Sequence, residues 1–430
     1  MSAYDVAIVG LGPTGATLAN LCGQHGLRTV VFERSTSPYS QPRACHLDAE
    51  VARVFQQCGF EAELQPLLTV SAGMEYVDAH GRRLFTFEGF QREPLLGWSE
   101  DYVFLQPQLE TMLRRGLSAL RQVDVRLAWE APPLASLLEE ASFVVACDGG
   151  ASRVRDEIGA GFIDLGYDEH WLVVDLMLHR QPVPPLPTVI HQVCDPDRLT
   201  TFVPSHGAHR RWEFQLRGDE RPDPWQLLAP WGVTKSHGDL VRAVPYRFHA
   251  LVADRWRGGP DGRVLLAGDA AHMMPPFMGQ GMCSGVRDAA NLAWKLAEVV
   301  RGASPDELLD TYEAERRPHA EAVIELSIEA GRTLARLAAD PTDLPTPATA
   351  DPNRWSRVPG LQLGGEFPVG HQLPQPDHLD SRLPLGWVWV AADGSFTAPD
   401  GHRVVVEPRA TYGRPAVLVR PDRYIAAVAS

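Results

Sequence analysis

The sequence has few of the patterns that build metal sites, disulfide frameworks or membrane spans. Its six cysteines show no Cys-x-x-Cys spacing, and its fifteen histidines form no His-x-x-x-His pair or cluster with carboxylates. We therefore expect no metal site and no disulfide framework. No segment contains the roughly 18 consecutive apolar residues that a membrane-spanning helix requires, so no membrane partner is expected.

Positive charge is also in short supply. The chain has 40 Lys and Arg against 54 Asp and Glu, which gives a net charge of −14 over 430 residues. This balance disfavours nucleic acid as a partner. The first residues, MSAYDVAIVG, run straight into an apolar strand without a basic segment or a cleavage site. We therefore expect a cytoplasmic protein, and we expect it to be a monomer or a homodimer.

The first motif that carries chemistry is a glycine loop between two short apolar strands. Gly10, Gly12 and Gly15 form a G-x-G-x-x-G loop that opens a helix. The glycines permit a tight turn and the close approach of backbone to a pyrophosphate. Glu33 ends the second strand about 20 residues on, where a carboxylate accepts hydrogen bonds from ribose hydroxyls. The pattern predicts a dinucleotide site that fits FAD or NAD and disfavours NADP.

The most informative stretch runs from Arg263 to Leu296. It reads as a buried strand ending in Gly268-Asp269, a loop rich in Met, Gly and Pro, and a long helix that begins with small residues. A carboxylate at the strand end suits a ribityl chain. The N-terminus of the helix favours the negative charge that a reduced flavin carries at N1 and O2.

A third element, Phe143 to Arg155, is an apolar strand ending in Asp148-Gly149, followed by a helix start. Alone it is an ordinary strand and capped helix. In this order, the three elements resemble the FAD-dependent aromatic hydroxylases, the single-component flavoprotein monooxygenases. The segments TFVP, RRWEF, GDAAHMMPPFMGQGMCSG and VLVRPDRYIA are most similar to the branch that contains 3-(3-hydroxyphenyl)propionate hydroxylase and polyketide-tailoring hydroxylases.

The resemblance implies an α/β fold with three parts. These are a Rossmann-like FAD-binding domain of the para-hydroxybenzoate hydroxylase type, a β-sheet substrate domain and a small, shortened thioredoxin-like C-terminal domain. We predict the FAD-binding domain at 1–73, 101–164 and 258–340, the last including a long helix, the substrate domain at 74–100 and 165–257, a linker at 341–354, and the C-terminal domain at 355–430.

Two segments are shorter than the family pattern. Few residues lie at 130–142, where the family has several strands. HRVVVEP is followed so closely by VLVRPDRYIA that no crossover helix fits between them as parallel strands. Either the chain is natively short at these places or loops are missing from the sequence.

The resemblance also implies the cofactors, which are noncovalent FAD and a transient NADH or NADPH. The nicotinamide donor must dock transiently because the chain has no second G-x-G-x-x-G loop. The expected cofactor-binding residues are Gly10, Gly12, Pro13, Thr14, Gly15, Glu33 and Arg34 for the ADP half; Arg43 and Gln106 for the pyrophosphate or ribityl side; Asp148 and Gly149 for FAD and the donor together; and Gly268, Asp269, Pro276, Gly279, Gln280, Gly281 and Met282 for the ribityl chain and the ring.

The implied reaction is hydroxylation of a phenolic or polycyclic aromatic substrate through a flavin C4a-hydroperoxide, with NAD(P)H and O2. Baeyer-Villiger insertion, epoxidation, and a non-oxygenase FAD-binding reductase remain as alternatives. The methionines of the flavin loop suit a large flat aromatic, although Met is also an ordinary core filler.

Three residues are candidates for catalysis. Arg211 in RRWEFQL is expected to hold the flavin ring as it swings between two positions, or else to be an exposed arginine paired with Glu213. His46 and Tyr246 are candidates to bind or deprotonate a phenol, and His249 is a further candidate for the same role. Each of these is also explicable as a structural residue with satisfied hydrogen bonds.

Overall fold

The computed structural model describes residues 2–87, 94–179, 185–345 and 366–429. The expected linker at 341–354 falls outside the described residues from residue 346 on, as do residues 355–365 of the expected C-terminal domain. In the part of the chain that is described, no helix combines the length and the apolar composition that crossing a bilayer requires.

The α-helices follow the chain in this order: α1 (Pro13–Gln24), α2 (Ala49–Gln57), α3 (Glu61–Leu64), α4 (Gln106–Leu117), α5 (Leu134–Glu140), α6 (Arg153–Glu157), α7 (Pro224–Leu228), α8 (Gly281–Val300) and α9 (Asp310–Ala339).

The strands of the first half are β1 (Tyr4–Val9), β2 (Thr29–Glu33), β3 (His46–Asp48), β4 (Leu68–Val70), β5 (Met74–Asp78), β6 (Arg83–Phe87), β7 (Asp101–Phe104), β8 (Val123–Leu127), β9 (Ala141–Ala146), β10 (Phe162–Leu178) and β11 (Ile190–Cys194). Those of the second half are β12 (Thr200–Val203), β13 (His209–Gln215), β14 (Gly238–Ala253), β15 (Arg257–Gly258), β16 (Val264–Leu266), β17 (His272–Met273), β18 (Val388–Ala391), β19 (Arg403–Val406), β20 (Ala416–Val419) and β21 (Ile425–Val428).

The first sheet has six strands in the order β15-β16-β9-β1-β2-β8. All neighbours are parallel except β15 and β16. Its central strands are apolar and almost fully buried, as a parallel sheet covered on both faces requires. The three predicted motifs follow β1, β9 and β16, which are neighbours, so they meet at the carboxyl edge of the sheet. Ligands of open α/β sheets bind at such an edge.

Close packing of backbone holds these loops together. A Cβ at Gly285 of α8 would lie 2.2 Å from Thr14 Oγ1, and a Cβ at Gly268 would lie 2.7 Å from the same atom. A Cβ at Gly15 would lie 2.1 Å from the carbonyl oxygen of Gly10. Only glycine permits these approaches, so α1, α8 and the turn after β16 converge around Thr14.

The second sheet has eight strands in the order β17-β14-β10-β13-β12-β11-β5-β6. β10 and β14, with 17 and 16 residues, form its long antiparallel centre. β5 and β6 form a hairpin that turns at Gly81, whose φ is +75°. β17 belongs to the Met-rich loop, so its pairing with β14 joins that loop to the edge of this sheet. A small third sheet, β3-β7-β4, lies between the two.

The C-terminal unit, residues 366–429, contains a four-stranded sheet in the order β19-β18-β20-β21. The parallel pair is β18 with β19, and β20 and β21 are antiparallel to their neighbours. HRVVVEP and VLVRPDRYIA are therefore not adjacent, because β18 lies between them. Within the described part of this unit no α-helix occurs, and the thioredoxin-like assignment stays a prediction.

Buried ion pairs attach the C-terminal unit to the rest of the protein. Arg53 of α2 donates to both carboxylate oxygens of Asp380, each at 2.7 Å, and to the carbonyl oxygen of Leu373. Arg423 Nε lies 3.3 Å from the same carboxylate. Burial alone would raise the pKa of Asp380, but Arg53 outweighs this effect and holds the pKa below its ordinary value.

A second set of contacts links the C-terminal unit to α8. Glu50 of α2 accepts hydrogen bonds from Gln372 Nε2 at 3.0 Å and from the Tyr424 hydroxyl at 2.7 Å. Its other oxygen accepts from Arg287 Nε at 2.5 Å. Arg420 donates to both oxygens of Glu315 on α9, at 3.0 Å each. The C-terminal unit is thus bound to α2 and α9 by buried ion pairs, and Glu50 of α2 connects it to Arg287 of α8.

We predict that Asp380→Ala lowers the free energy of unfolding by about 3–5 kcal/mol, because a buried guanidinium that loses its partner carries an uncompensated charge. Urea denaturation followed by circular dichroism measures the change. Asp377→Ala is the matched control, since its pair with Arg409 is exposed, and we expect little effect there. Equal losses in the two variants would contradict the prediction.

Candidate active site

A cavity of about 390 Å³ begins at the carboxyl edge of the six-stranded sheet and continues over one face of the eight-stranded sheet. The predicted site residues that line it are Gly12, Pro13, Thr14, Arg43, His46, Gln106, Gly149, Arg211, Tyr246, Asp269, Pro276, Gly279, Gly281 and Met282. The other predicted residues, Gly10, Gly15, Glu33, Arg34, Asp148, Gly268 and Gln280, do not belong to its wall. The structure thus brings the three motifs and the substrate sheet to one cavity.

The glycine loop after β1 leaves backbone exposed to the cavity. Gly10 has φ +97°, and a Cβ there would lie 2.4 Å from the carbonyl oxygen of Cys147. At Gly12, by contrast, a Cβ would meet nothing within 4 Å. Glu33 is oriented beside this loop because its carboxylate accepts from the backbone N–H groups of Leu11 at 2.9 Å and Ser35 at 2.8 Å. The loop therefore has open space where a dinucleotide requires it.

The segment that carries Arg43 is held by Gln106 at the start of α4. Gln106 Oε1 accepts from the backbone N–H groups of Arg43 at 3.1 Å and Ala44 at 2.6 Å, and its Nε2 donates to Glu110 at 2.7 Å. Both ends of the amide are therefore engaged. Gln106 therefore holds this loop at the wall of the cavity, and the exposed guanidinium of Arg43 borders the same space.

Two aspartates have acceptor capacity that the described part of the chain leaves unmet. Asp148 Oδ1 is buried and receives no hydrogen bond from the described residues, while Oδ2 accepts weakly from Val154 N–H at 3.4 Å. Asp269 forms part of the cavity wall. Burial among the surrounding protein raises the pKa of Asp269, although His272 and Arg43 act in the opposite direction.

These observations fit FAD. Asp269 is exposed to the cavity and receives no hydrogen bond from the described residues, so its carboxylate is open to a ligand, while the buried Oδ1 of Asp148 is an acceptor of the kind that is rarely left without a partner. A ribityl hydroxyl is a suitable donor for Asp269, and a pyrophosphate requires the side-chain-free space beside Gly12. The residues present could therefore hold FAD with its ADP half at the glycine loop and its ring at the Met-rich loop.

The Met-rich loop ends at the N-terminus of α8, a 20-residue helix. Gly279 has φ +63°, which lets the chain turn into that helix. The Gln280 side chain points away from the cavity, since it donates to Asp48 at 3.1 Å and accepts from Arg287 at 2.9 Å. Only backbone is available here for a ligand, which matches the expected role of Gln280, Gly281 and Met282 as N–H donors.

His46 is held by contacts at both of its ring nitrogens. Its Nε2 lies 2.5 Å from Asp101 Oδ1, and its Nδ1 lies 3.2 Å from the carbonyl oxygen of Gly279. Burial alone would lower the pKa of His46, but Asp101 outweighs it and raises the pKa well above the ordinary value. Both ring nitrogens of His46 are therefore engaged by the protein, and this geometry does not favour a role as a base. His46 instead positions Gly279 of the Met-rich loop.

Arg211 is buried, so the interpretation of an exposed arginine paired with Glu213 is wrong. Its guanidinium donates to Asp175 at 2.7 and 3.2 Å and to the carbonyl oxygens of Pro42, at 2.7 Å, and Arg43. Glu213 is 4.0 Å away. Arg211 therefore ties β13 of the substrate sheet to the segment before His46, at the place where the two halves of the cavity meet.

Tyr246 and His249 lie on β14, at the rim of the cavity. The Tyr246 side chain is 42% exposed, and its ring packs on Phe248 with centroids 6.0 Å apart. His249 Nδ1 lies 3.9 Å from Asp168 at the surface. Their position is that of residues at an entrance rather than beside a buried ring.

Sequence reasoning missed Asp288, which organises the turn after β16. It accepts from Gly268 N–H at 3.0 Å, His272 Nε2 at 2.7 Å and Arg316 Nε at 2.9 Å. Burial alone would raise the pKa of Asp288, but His272 and Arg316 outweigh it and lower the pKa. The available signal was a charged residue among the small residues at the start of α8.

Comparison with known proteins gives consistent matches. Residues 3–327 match the family described as FAD binding domain. A probable NADH-specific resorcinol 4-hydroxylase of Rhodococcus jostii is 40% identical over 354 residues, covering 77% of this chain and 65% of the relative. A 3-(3-hydroxy-phenyl)propionate/3-hydroxycinnamic acid hydroxylase of Mycolicibacterium smegmatis is 37% identical, with 77% and 62% covered. The chain thus spans less than two thirds of the length of these relatives.

Solved structures agree in fold over almost the whole chain. An aklavinone-11 hydroxylase in complex with FAD and aklavinone has a TM-score of 0.77 at 21% identity, covering 100% of this chain and 96% of that chain. An anhydrotetracycline hydroxylase of Streptomyces rimosus has a TM-score of 0.75 at 26% identity, with 99% and 96% covered.

We predict that Gly12→Val abolishes FAD binding and leaves the protein folded. The backbone at Gly12 has φ −71°, which valine tolerates, and its Cβ would enter the open space that the pyrophosphate needs. Flavin absorbance after gel filtration measures the FAD content, and circular dichroism measures the fold. Gly394→Val, at a surface glycine with equal space, should retain FAD. Full flavin content in the Gly12 variant would refute the placement of the dinucleotide.

Proposed function

The chain belongs to the FAD-binding-domain family, and from that premise we propose that it is an FAD-dependent monooxygenase that hydroxylates a phenolic or polycyclic aromatic ring. One observation carries the proposal. A single cavity runs from the dinucleotide loop at Gly12, past Asp269 and the Met-rich loop, to the face of a large sheet. That arrangement brings an aromatic substrate against the flavin end of the cofactor.

Bound FAD supplies the redox chemistry, which takes electrons from a nicotinamide donor and activates O2 for the transfer of one oxygen atom to the ring. The chain's own residues bind, orient and exclude water. Asp269 would accept a hydrogen bond from the ribityl chain, and the backbone at the start of α8 would donate to the charged edge of the ring. Arg43, held by Gln106, offers a positive charge to the pyrophosphate.

An aromatic wall protects the reacting end of the cavity. Phe277 of the Met-rich loop packs edge-on against Trp171 and Phe248 of the substrate sheet, with centroids 5.4 and 6.0 Å apart. Trp171 and Phe248 stack on each other at 5.6 Å. Phe248 and Phe277 line the cavity and Trp171 packs against both, so this part of the wall is apolar and would help to exclude water from the reacting end.

The remaining assignments follow from the same premise. We propose NADH as the donor, on the support of the relative named as NADH-specific, with Asp148 and Gly149 at its docking surface. All six cysteines are free thiols, which suits a reducing compartment such as the cytoplasm. We propose an aromatic substrate and O2 as its small-molecule partners.

We predict that the FAD-loaded protein oxidises NADH slowly alone and at least about tenfold faster with the right phenol. The reason is that a substrate can shift the flavin toward its reducible position by binding that state more tightly. Stopped-flow absorbance follows the reduction, and product formation under ¹⁸O₂ follows the oxygen. The Gly12→Val protein is the control without cofactor. A protein full of FAD that incorporates no ¹⁸O into any phenol or hydroxylated polycycle would contradict the proposed function.

We predict that Arg211→Lys weakens this phenol stimulation about tenfold while FAD binding changes little. Lysine keeps the charge, but its single ammonium group cannot bridge Asp175 and two backbone carbonyls as the planar guanidinium does. The FAD dissociation constant and the stimulated NADH oxidation rate are measured on the same samples. Arg198→Lys is the matched control, because Arg198 pairs with Glu220 in the loops next to β12 and β13. Unchanged stimulation in Arg211→Lys would exclude a positioning role.

A further inference from the structure

A row of polar side chains crosses the floor of the cavity. Strand register aligns Tyr76, Gln192, Thr201, Glu213 and Val173 on the neighbouring strands β5, β11, β12, β13 and β10. All five line the cavity. In an antiparallel or parallel pair, residues at the same register lie on the same face, so this row is one continuous strip.

The middle of the strip is fixed by an internal hydrogen bond. The Thr201 hydroxyl donates to Gln192 Oε1 at 2.7 Å, which settles the orientation of the amide. Gln192 Nε2 therefore faces away from Thr201 and has only a weak contact with Met74 Sδ, at 3.7 Å, among the described residues. The buried amide of Gln192 is therefore left with N–H donor capacity at the cavity wall that the described residues do not fill with a strong acceptor.

Glu213 presents hydrogen-bond acceptors to the cavity, whereas Gln192 presents a donor. It is buried, and no hydrogen bond from the described part of the chain reaches its carboxylate. Arg211 Nη1 is 4.0 Å away and is already committed to the carbonyl oxygen of Arg43. Arg242 is committed to the carbonyl oxygen of Pro42 at 2.6 Å. Burial raises the pKa of Glu213, against the pull of these two arginines.

Burying a polar group costs free energy unless the group finds a hydrogen-bond partner. A buried acceptor or donor without a partner costs about 1–3 kcal/mol, and charged groups cost more. Here both groups border one cavity and have opposite hydrogen-bonding character. The strip is therefore complementary to a ligand that carries a hydroxyl donor and a second oxygen acceptor.

We propose that Glu213 and Gln192 form the substrate subsite, in which Glu213 accepts a hydrogen bond from a phenolic hydroxyl and Gln192 donates to a second oxygen substituent on the same molecule. This inference rests on the proposed function. It names the substrate class as an aromatic ring that bears a free hydroxyl and another oxygen. By accepting from the phenol, Glu213 also increases the negative charge on its oxygen, which makes the ring more nucleophilic.

The test measures binding separately from turnover. Resorcinol, phenol and 1,3-dimethoxybenzene are titrated into the FAD-loaded protein without NADH, and the change in flavin absorbance gives each dissociation constant. We expect wild type to bind resorcinol more tightly than phenol and to bind 1,3-dimethoxybenzene at least ~10-fold more weakly than resorcinol, because the ether cannot donate to Glu213.

The variants separate the two roles. Glu213→Leu should weaken resorcinol and phenol alike by ~10-fold or more and leave 1,3-dimethoxybenzene unchanged, and Glu213→Gln should give a smaller loss of the same pattern. Gln192→Leu should bring the dissociation constants of resorcinol and phenol together. Glu75→Gln is the matched control, since Glu75 precedes Tyr76 on β5, pairs with Arg83 and lies outside the cavity wall. It should bind all three probes as wild type does.

The outcomes distinguish this inference from the proposed function. If both Glu213 variants retain FAD and bind phenols as tightly as wild type, while wild type still incorporates ¹⁸O into resorcinol, the subsite is wrong and the hydroxylase function stands. If Glu213→Leu does not retain FAD, phenol binding by Glu213→Gln is compared with that of wild type and decides the question. If wild type binds none of the probes and hydroxylates no phenol, the proposed function fails and the subsite fails with it.

Discussion

The cavity depends on how closely the backbone can approach itself around Thr14. Three loops and the start of a long helix converge there, and each contact is made at a glycine whose Cβ would lie 2.1 to 2.7 Å from another atom. The consequence is a wall made largely of backbone, with carboxylates at its corners. Everything farther out, including the Met-rich loop and the sheet beyond it, takes its position from that convergence. Neither an open dinucleotide loop nor a turn ending in Asp269 would survive a larger residue at these points.

Local patterns were sufficient to predict most of the fold and one half of the site. The resemblance to aromatic hydroxylases and the α/β class are confirmed, because the glycine loop and the two aspartate turns each follow a buried strand. Their meeting at one edge follows from the parallel order of those strands. The family match supports FAD as the cofactor, whereas the assignment of individual residues to it stays a prediction that the acceptors of Asp148 and Asp269 fit.

The other half could not be predicted, because it rests on contacts between distant segments. His46 and Asp101 lie in segments that are far apart in the sequence, and nothing around either residue predicts that the two side chains pair. Arg211 was weighed against the neighbour Glu213, whereas its partners are Asp175 and backbone carbonyls more than 160 residues away. Gln192 and Thr201 belong to short strands whose alignment across the sheet is set by register. The sequence alone does not specify that register.

The attachment of the C-terminal unit has a consequence for how this chain can evolve. The residues that form the contact are divided between the two parts. Arg53, Glu50 and Glu315 belong to the main part of the protein, and their partners Asp380, Tyr424 and Arg420 belong to the C-terminal unit. A recombination event that exchanged this unit for an unrelated one would leave half of each pair behind. Such an exchange is therefore expected to destabilise both parts, and a substitution on one side of the contact is expected to need a compensating one on the other.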